Sequence, residues 1–177
     1  MGSDKHESAL DAYLPAVYDE LRRLASSYLR RERDAQSMQP TALVHEVYLR
    51  MLRDKPMLFN DRAHFCAIAA TAMRRILVER ARARHALKRG GDAPRITLDE
   101  SLVGAAPGAK GGGVDVLALN DALERLESLD PARARVVELR YFGGLSVEET
   151  ARELQLSPAT VKRHWTVARA WLARELA

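Results

Sequence analysis

Apolar residues recur at three- and four-residue steps before residue 90, which is the spacing of amphipathic helices. One apolar stripe comprises Leu10, Leu14, Val17, Leu21, Leu24 and Tyr28. A second follows Pro40, a residue suited to a first helical turn, and comprises Leu43, Val44, Val47, Tyr48, Met51 and Leu52. A third stretch, from about Asp61 to Arg89, is apolar in its first half and basic in its second. This pattern predicts three helices.

The second half of the chain carries a similar pattern with clear start and stop residues. Val116, Leu119, Leu123 and Leu126 form one helical stripe. Asp130-Pro131 predicts the start of the next helix, and Gly143-Gly144 predicts its end. Ser146 and Glu149 have the spacing of a capping box, and Ser157-Pro158 predicts the start of a last helix that runs to the C-terminus.

The segment between these halves has a different composition. Gly90–Gly113 contains seven glycines and two prolines, which is typical of a flexible linker. We therefore expect a helical domain over residues 8–91, a linker over 92–113 and a second helical domain over 114–177.

Composition supports an all-α fold of two small domains. Hydrophobic residues make up 47% of the 177 residues and aromatic residues only 6%, and Ala, Leu and Arg are frequent. The net charge is only +4, so its distribution matters more than its total. Arg74–Arg89 holds seven Arg or Lys residues and one Glu, and Pro158–Arg174 holds four basic residues and no acidic residue. Two basic blocks indicate two contacts with a polyanion.

The stretch Leu145–Leu172 has the layout of a helix-turn-helix. Ala151 would allow the two helices to cross closely, and Val161, Trp165 and Ala168 would face the core. The outward residues of the second helix suit phosphates and base edges in a major groove, and they are Thr160, Lys162, Arg163, Thr166 and Arg169. The alternative is a pair of surface helices with a solvated basic face.

The basic half of the third stretch is a candidate for contacts with a phosphate backbone, through Arg80, Arg82, Arg84, Lys88 and Arg89. Just before it, Phe59, His64 and Phe65 flank Asn60, Asp61 and Arg62. Such a mix of aromatic and polar side chains suits unstacked bases.

Catalytic, metal and cofactor sites are not indicated. His45-Glu46 begins a zinc-protease pattern, but Leu49 occupies the position of the second histidine. Cys66 lies in an apolar stretch and predicts a buried core residue, and the Gly- and Lys-containing linker has the wrong spacing for a phosphate-binding loop. We expect no enzyme, no metal and no cofactor. With no signal peptide or membrane span in the sequence, we expect a cytoplasmic protein that does not bind membranes.

From Leu10 to Leu176 the chain resembles the extracytoplasmic-function (ECF) sigma factors of bacterial RNA polymerase, which contain only sigma domains 2 and 4. The resemblance is carried by Leu43–Arg50, by Asp130–Ala151 and by the Ser157–Arg163 start of the last helix. It implies promoter-specific initiation of transcription, with core RNA polymerase (β′ clamp and β flap) and promoter DNA as partners.

The resemblance also implies roles for individual residues. His45, Glu46, Leu49 and Arg50 match the surface that docks on the β′ clamp. The residues that match the part that melts and reads the −10 element are Phe59, Asn60, Asp61, Arg62, His64, Thr71, Arg74 and Arg75. Lys162, Arg163 and Thr166 match the reader of the −35 element.

Two positions depart from the family pattern. Members usually carry acidic residues before the Leu-Val pair of the second helix, where this chain has Gln39-Pro40-Thr41-Ala42, and their common Trp and Asn are replaced by His64 and Thr71. Phosphorylation of Thr41 by a Ser/Thr kinase would supply the missing charge. The alternative is that Thr41 is only a helix-start residue and that Glu46 suffices for docking. Control by an anti-sigma factor or by expression level is also open.

Two other functions share some of these features. A stand-alone helix-turn-helix regulator would explain the last two helices but not the second helix or the base-holding loop. A helical RNA-binding adaptor would prefer structured RNA to promoter DNA. Transcription from bare core enzyme separates a sigma factor from both.

Overall fold

The computed structural model describes residues 15, 17–26, 29, 38–53, 59–87, 95–96 and 114–176. These residues form helices almost throughout, which confirms the predicted all-α class. We call residues 15–87 the N-terminal segment and residues 114–176 the C-terminal segment. Of the expected linker, residues 92–94 and 97–113 lie outside the described residues, and so does most of the polar stretch before Pro40.

The N-terminal segment contains three helices: α1 (residues 17–26), α2 (Pro40–Arg53) and α3 (Arg62–Leu87). Val17, Leu21 and Leu24 of α1 are buried, as the apolar stripe predicts. The face of α2 that packs on α3 is formed by Leu43, Val44, Val47 and Met51. Helix α3 is buried well beyond its apolar first half, since Val78 and Ala81 lie between its basic residues and are also in the core.

Two short strands were not predicted, one within the expected linker and one directly after it. β1 (Arg95–Ile96) pairs antiparallel with β2 (Val114–Asp115), and Ile96 lies opposite Val114. Ile96 and Val114 therefore lie a single strand spacing apart.

The C-terminal segment consists of α4 (Val116–Leu129), α5 (Pro131–Val137), a π-helical turn (Glu138–Phe142), α6 (Val147–Leu154) and α7 (Pro158–Glu175). Asp130 caps α5 by accepting a hydrogen bond from the Arg133 backbone N–H. The stripe of α4 is buried as predicted. The helix that begins at Pro131 continues to Phe142, but from Glu138 onward it is wound as a π-helix.

The two segments pack against one another through α3, which contacts α4, the π-helical turn and α6. The Gly143-Gly144 turn packs tightly against the N-terminal segment. A Cβ atom on Gly143 would lie 3.1 Å from the Ala70 Cβ, and one on Gly144 would lie 3.0 Å from a methyl carbon of Leu24. The two glycines that were predicted to end the helix therefore also allow the contact between the two segments.

In the described part of the chain, no helix is both long and apolar enough to span a bilayer.

Gly144 has a φ of +66°, a conformation that costs a residue with a Cβ about 1–3 kcal/mol. We expect Gly144→Ala to lower the free energy of unfolding by at least this amount, since the new methyl group also meets Leu24. Urea denaturation measures the change. In a Leu24→Ala background the clash is removed, so the loss should be smaller. An unchanged stability of Gly144→Ala would contradict the left-handed conformation, and an equal loss in the Leu24→Ala background would show that the segments do not approach closely at this turn.

Candidate nucleic-acid interface

Asp61 and His64 organise the start of α3. The Asp61 carboxylate accepts a hydrogen bond of 2.9 Å from the His64 backbone N–H, in the manner of a helix cap. The Nδ1 atom of His64 accepts a bond of 3.3 Å from the backbone N–H of Asn60. Asn60 and Asp61 are exposed, so the polar part of the expected base-holding loop faces solvent.

Phe59 does not lie on the surface with them. Only 9% of it is exposed. Its ring packs edge-on against two other rings, with centroid distances of 5.1 Å to Phe65 and 6.3 Å to His64. Phe65 is fully part of the core. The rings of Phe59 and Phe65 therefore pack on one another in the core of the N-terminal segment.

Arg62 lies between two carboxylates from different parts of the chain. One of its terminal nitrogens is 2.5 Å from Glu149 Oε1, 87 residues away, and the other is 2.7 Å from Glu20 Oε2. Partial burial alone would lower the pKa of this guanidinium, but Glu20 and Glu149 outweigh it and raise the pKa. Arg62 is thus a fixed cation at the junction of α1, α3 and α6.

Arg74 is held in a similar way farther along α3. Its Nε and one terminal nitrogen donate to Asn120 Oδ1 at 3.3 and 3.1 Å, and its other terminal nitrogen is 3.6 Å from Glu138 Oε1. Its side chain is only 14% exposed. Arg135 completes the group by donating to Thr71 Oγ1 at 3.0 Å and by pairing with Glu138.

A cleft of about 430 Å³ continues from this contact between α3 and the C-terminal segment. The α3 wall carries three arginines and one glutamate, and the opposite wall carries three glutamates and one arginine. On the α3 wall these are Arg74, Arg75, Arg82 and Glu79, and on the opposite wall Glu124, Glu127, Glu138 and Arg135. Arg75 and Arg82 are exposed at its edge.

The expected polymerase-docking residues lie on α2, and two of them pair with α3. Arg80 is 2.6 Å from Glu46 Oε2, and Arg50 is 2.8 Å from Glu79 Oε1. His45 is exposed, and Leu49 is 42% exposed although it is apolar. Thr41 is exposed in the first turn of α2, which contains no acidic residue.

The other residues expected to contact the DNA phosphate backbone lie partly on the surface and partly outside the described residues. Arg82 is exposed and Arg84 is half-buried, whereas Lys88 and Arg89 lie outside the described residues.

The helix-turn-helix has the predicted caps. The Ser146 hydroxyl accepts from the Glu149 backbone N–H, and the Glu149 carboxylate accepts from the Ser146 backbone N–H, which completes a capping box. Gln155 ends α6 in the left-handed conformation, with a φ of 54°. Ser157 caps α7 by accepting from the Thr160 backbone N–H. These local bonds fix where the second helix begins.

Helix α7 buries one face and exposes the other. Val161, Trp165 and Ala168 are in the core, and Ala151 of α6 is buried beside them. Lys162, Arg163 and Thr166 are exposed, whereas Thr160 and Arg169 are half-buried.

Arg140 was not anticipated from the sequence. It lies on the π-helical turn, and its guanidinium stacks on the Trp165 ring at 4.7 Å. Its pKa is lowered by burial and by the like charge of Arg169, against the opposing effect of Glu148. A second cation therefore lies beside Arg169. Nothing in the local sequence around Arg140 indicates this position, because it depends on how the π-helical turn packs on α7.

Cys66 is fully buried, as predicted, and burial raises the pKa of its thiol to about 12. Within the described ranges, no group of three His, Cys, Asp or Glu side chains could hold a metal ion.

A helix-turn-helix with an exposed basic face on its second helix defines a DNA-binding protein. A family model described as "ECF sigma factor" matches residues 3–177, and the chain therefore belongs to the ECF sigma factor family. It is a sigma factor that directs promoter-specific transcription by RNA polymerase, and such factors are non-enzymatic regulators of transcription. No curated protein and no solved structure matches the chain.

The capping box makes stability depend on pH. Burial alone would raise the pKa of Glu149, but the hydrogen bonds with Ser146 and the charge of Arg62 lower it below its ordinary value of 4.5. A carboxyl with a lowered pKa stabilises the fold above its ordinary pKa, and this contribution is lost as the pH falls through the lowered value. We expect the wild-type free energy of unfolding to fall below about pH 4.5 more steeply than that of Glu149→Gln.

Urea denaturation at a series of pH values measures this difference. Glu148→Gln is the matched control, because Glu148 is an exposed carboxylate in the same helical turn and should keep the wild-type slope. Identical slopes for wild type and Glu149→Gln would contradict the assignment.

Proposed function

We propose that this sigma factor uses three surfaces of the chain: α2 for core polymerase, the start and middle of α3 for the −10 element, and α7 for the −35 element. The observation that carries this proposal is the exposed row of Lys162, Arg163 and Thr166 on a helix whose opposite face is buried. A helix about 10–12 Å across fits a major groove about 12 Å wide, and these side chains would then meet base edges and phosphates. Thr160 and Arg169, at the edges of the same face, would contact the DNA backbone.

At the −10 element the expected contacts are the exposed polar loop with Asn60 and Asp61, together with Arg62, His64, Thr71, Arg74 and Arg75. Flipping a base out of the stack costs a few kcal/mol, which contacts in a pocket and to phosphates must offset. The Arg80, Arg82 and Arg84 side chains, with Lys88 and Arg89, would supply backbone contacts. Phe59 would take part only if its packing on Phe65 were released.

Core polymerase would dock on His45, Glu46, Leu49 and Arg50, facing the β′ clamp, and the C-terminal segment would contact the β flap. The apolar Leu49 side chain supports a protein partner, since it lies exposed between the polar positions His45 and Arg50. With these partners, the protein would act in the cytoplasm. The stand-alone regulator is not favoured, because it leaves this surface without a role.

Replacing Lys162 or Arg163 with Ala should weaken −35 recognition and leave core binding unchanged. If either side chain contacts a guanine edge with two hydrogen bonds, we expect a loss of about 1–3 kcal/mol confined to that base pair. The template is a promoter selected from a random library with reconstituted holoenzyme, and binding is compared across single-base variants. Arg174→Ala, an arginine at the far end of α7, is the control. Equal losses on every sequence would mean that the two residues contact only phosphates.

Thr41 is the proposed point of control, through a Ser/Thr protein kinase rather than an anti-sigma factor. It is exposed at the N-terminal end of α2, where family members usually present carboxylates. A phosphate there would add about −1.5 to −2 charges at the positive end of the helix dipole. The added charge would also lie on the same helix as the docking residues.

We expect kinase-treated wild type and Thr41→Glu to bind core polymerase more tightly than untreated wild type. Thr41→Ala should bind like the untreated protein and should not respond to the kinase. Fluorescence anisotropy with purified core enzyme measures the affinities. Equal binding by treated and untreated wild type would exclude the switch, while leaving the sigma-factor function in place.

A further inference from the structure

Two residues that the proposed function assigns to different partners are bonded to one another. Glu46 of α2 belongs to the proposed polymerase surface, and Arg80 of α3 is one of the proposed contacts to the DNA backbone. The Nε and Nη2 atoms of Arg80 both donate to Oε2 of Glu46, at 3.1 and 2.6 Å. While this ion pair is closed, Oε2 of Glu46 and these two donors of Arg80 are not available to polymerase or DNA.

The geometry of the pair leaves each partner with one open position. Both hydrogen bonds go to the same carboxylate oxygen, and among the residues that the structure describes none donates to Oε1 of Glu46 or accepts from Nη1 of Arg80. The side chains are 37% and 50% exposed, respectively. An outside cation can therefore reach the free oxygen of Glu46 before Arg80 has left.

The pair is also easily opened. Exposed ion pairs contribute little to stability, because both charges remain hydrated when they separate. A docked protein interface excludes water, so a carboxylate inside it needs a cation or another donor from the partner. A guanidinium that bonds to both oxygens of a carboxylate is among the strongest of these contacts. Such a contact to Glu46 would take Oε2 away from Arg80.

The polarity of the pair determines what its opening releases. In the Glu46–Arg80 pair, α2 supplies the carboxylate and α3 supplies the cation. The neighbouring pair, Arg50–Glu79, has the opposite polarity, so its opening would free a carboxylate on α3 that repels a phosphate. Of these two pairs, only Glu46–Arg80 converts a contact at α2 into an available cation on α3.

We propose that Glu46 is exchanged between Arg80 and a cationic group of core polymerase, and that docking thereby releases Arg80 to a phosphate of the promoter backbone. This inference rests on the proposed assignments of Glu46 to polymerase docking and of Arg80 to DNA. Coupling of this kind is reciprocal. A phosphate that draws Arg80 away therefore leaves Glu46 free for polymerase, so polymerase and promoter DNA strengthen one another's binding to the sigma factor.

The exchange has an unusual consequence for core binding, since the loss of an arginine should strengthen it. Arg80→Ala removes the internal competitor for Glu46, and we expect the full chain to bind core polymerase roughly two- to fivefold more tightly than wild type. Glu46→Gln should bind more weakly than wild type. The double variant Glu46→Gln/Arg80→Ala should bind like Glu46→Gln, because the gain depends on the carboxylate.

Fluorescence anisotropy with purified core enzyme measures these affinities. The matched control is Arg22→Ala, which removes the same charge from an exposed position on α1 and should bind like wild type. Arg80→Gln keeps most of the side-chain stem beside the buried Val78 and Ala81, and it serves if Arg80→Ala does not fold.

The second readout is the salt dependence of promoter binding by the holoenzyme. The released Arg80 should neutralise one phosphate, so Arg80→Ala should make the slope of log affinity against log salt concentration shallower by about 0.7–0.9. Arg22→Ala should keep the wild-type slope. An unchanged slope for Arg80→Ala would overturn the release of Arg80 to DNA.

Wild-type or weaker core binding by Arg80→Ala would overturn the exchange, since Arg80 would then not compete for Glu46. A gain that persists in the Glu46→Gln background, or that also occurs in Arg22→Ala, would overturn it as well, because the loss of positive charge would then suffice. Normal core binding by Glu46→Gln would refute the docking assignment itself. Weakened binding by Glu46→Gln without a gain in Arg80→Ala would refute the exchange alone.

Discussion

Helix α3, which has 26 residues, packs against two different sets of neighbours. One contact is apolar and the other contains charged side chains. On one side it supplies the core of the N-terminal segment, against α1 and the apolar face of α2. On the other it receives α4, the π-helical turn and α6, with arginines at the contact. Because a cation that leaves water must be paired, the enclosed Arg74 needs acceptors, and Asn120 and Glu138 supply them from across the contact. The more exposed Arg62 pairs with Glu20 of its own segment as well as with Glu149.

The ion pairs of α3 are not equivalent. Arg80–Glu46 and Arg50–Glu79 are largely exposed, and such pairs typically contribute little to stability. Arg74 and Glu138 are mostly enclosed, so removal of one partner leaves the other without compensation. The exposed pairs link α3 to the proposed polymerase surface on α2, and the enclosed pairs link it to the C-terminal segment. The exposed pairs can therefore be rearranged at low cost, while the enclosed pair of Arg74 and Glu138 helps to hold the two segments together.

The features that the sequence predicts correctly are those set by local bonds. Each of these features depends on residues within a few positions of one another. They are the apolar stripe of α2, the Asp130 cap, the Ser146–Glu149 capping box and the glycine pair. The same locality explains why the helix-turn-helix was predictable, including its buried Val161 and Trp165. Hydrophobic spacing and caps are sufficient for such elements.

Features that depend on distant partners were not predictable. The sequence does not show that Phe59 is buried, because its burial depends on packing against Phe65. The sequence offers no sign that Arg62 and Arg74 have acidic partners, because Glu149 and Glu138 are brought to them only by the fold. The π-helical turn and the stacking of Arg140 on Trp165 likewise depend on how the helices meet. The two-domain boundary at residues 92–113 stays a prediction, although the described segments on either side of it share a packed contact.

The central claim is that the two segments are packed together in the free protein, and small-angle X-ray scattering of the monomer tests it most directly. A compact chain of 177 residues should have a radius of gyration of about 16 Å and a distance distribution with a single peak. A clearly larger radius with a two-peaked distribution would describe two separated domains. That result would contradict the account.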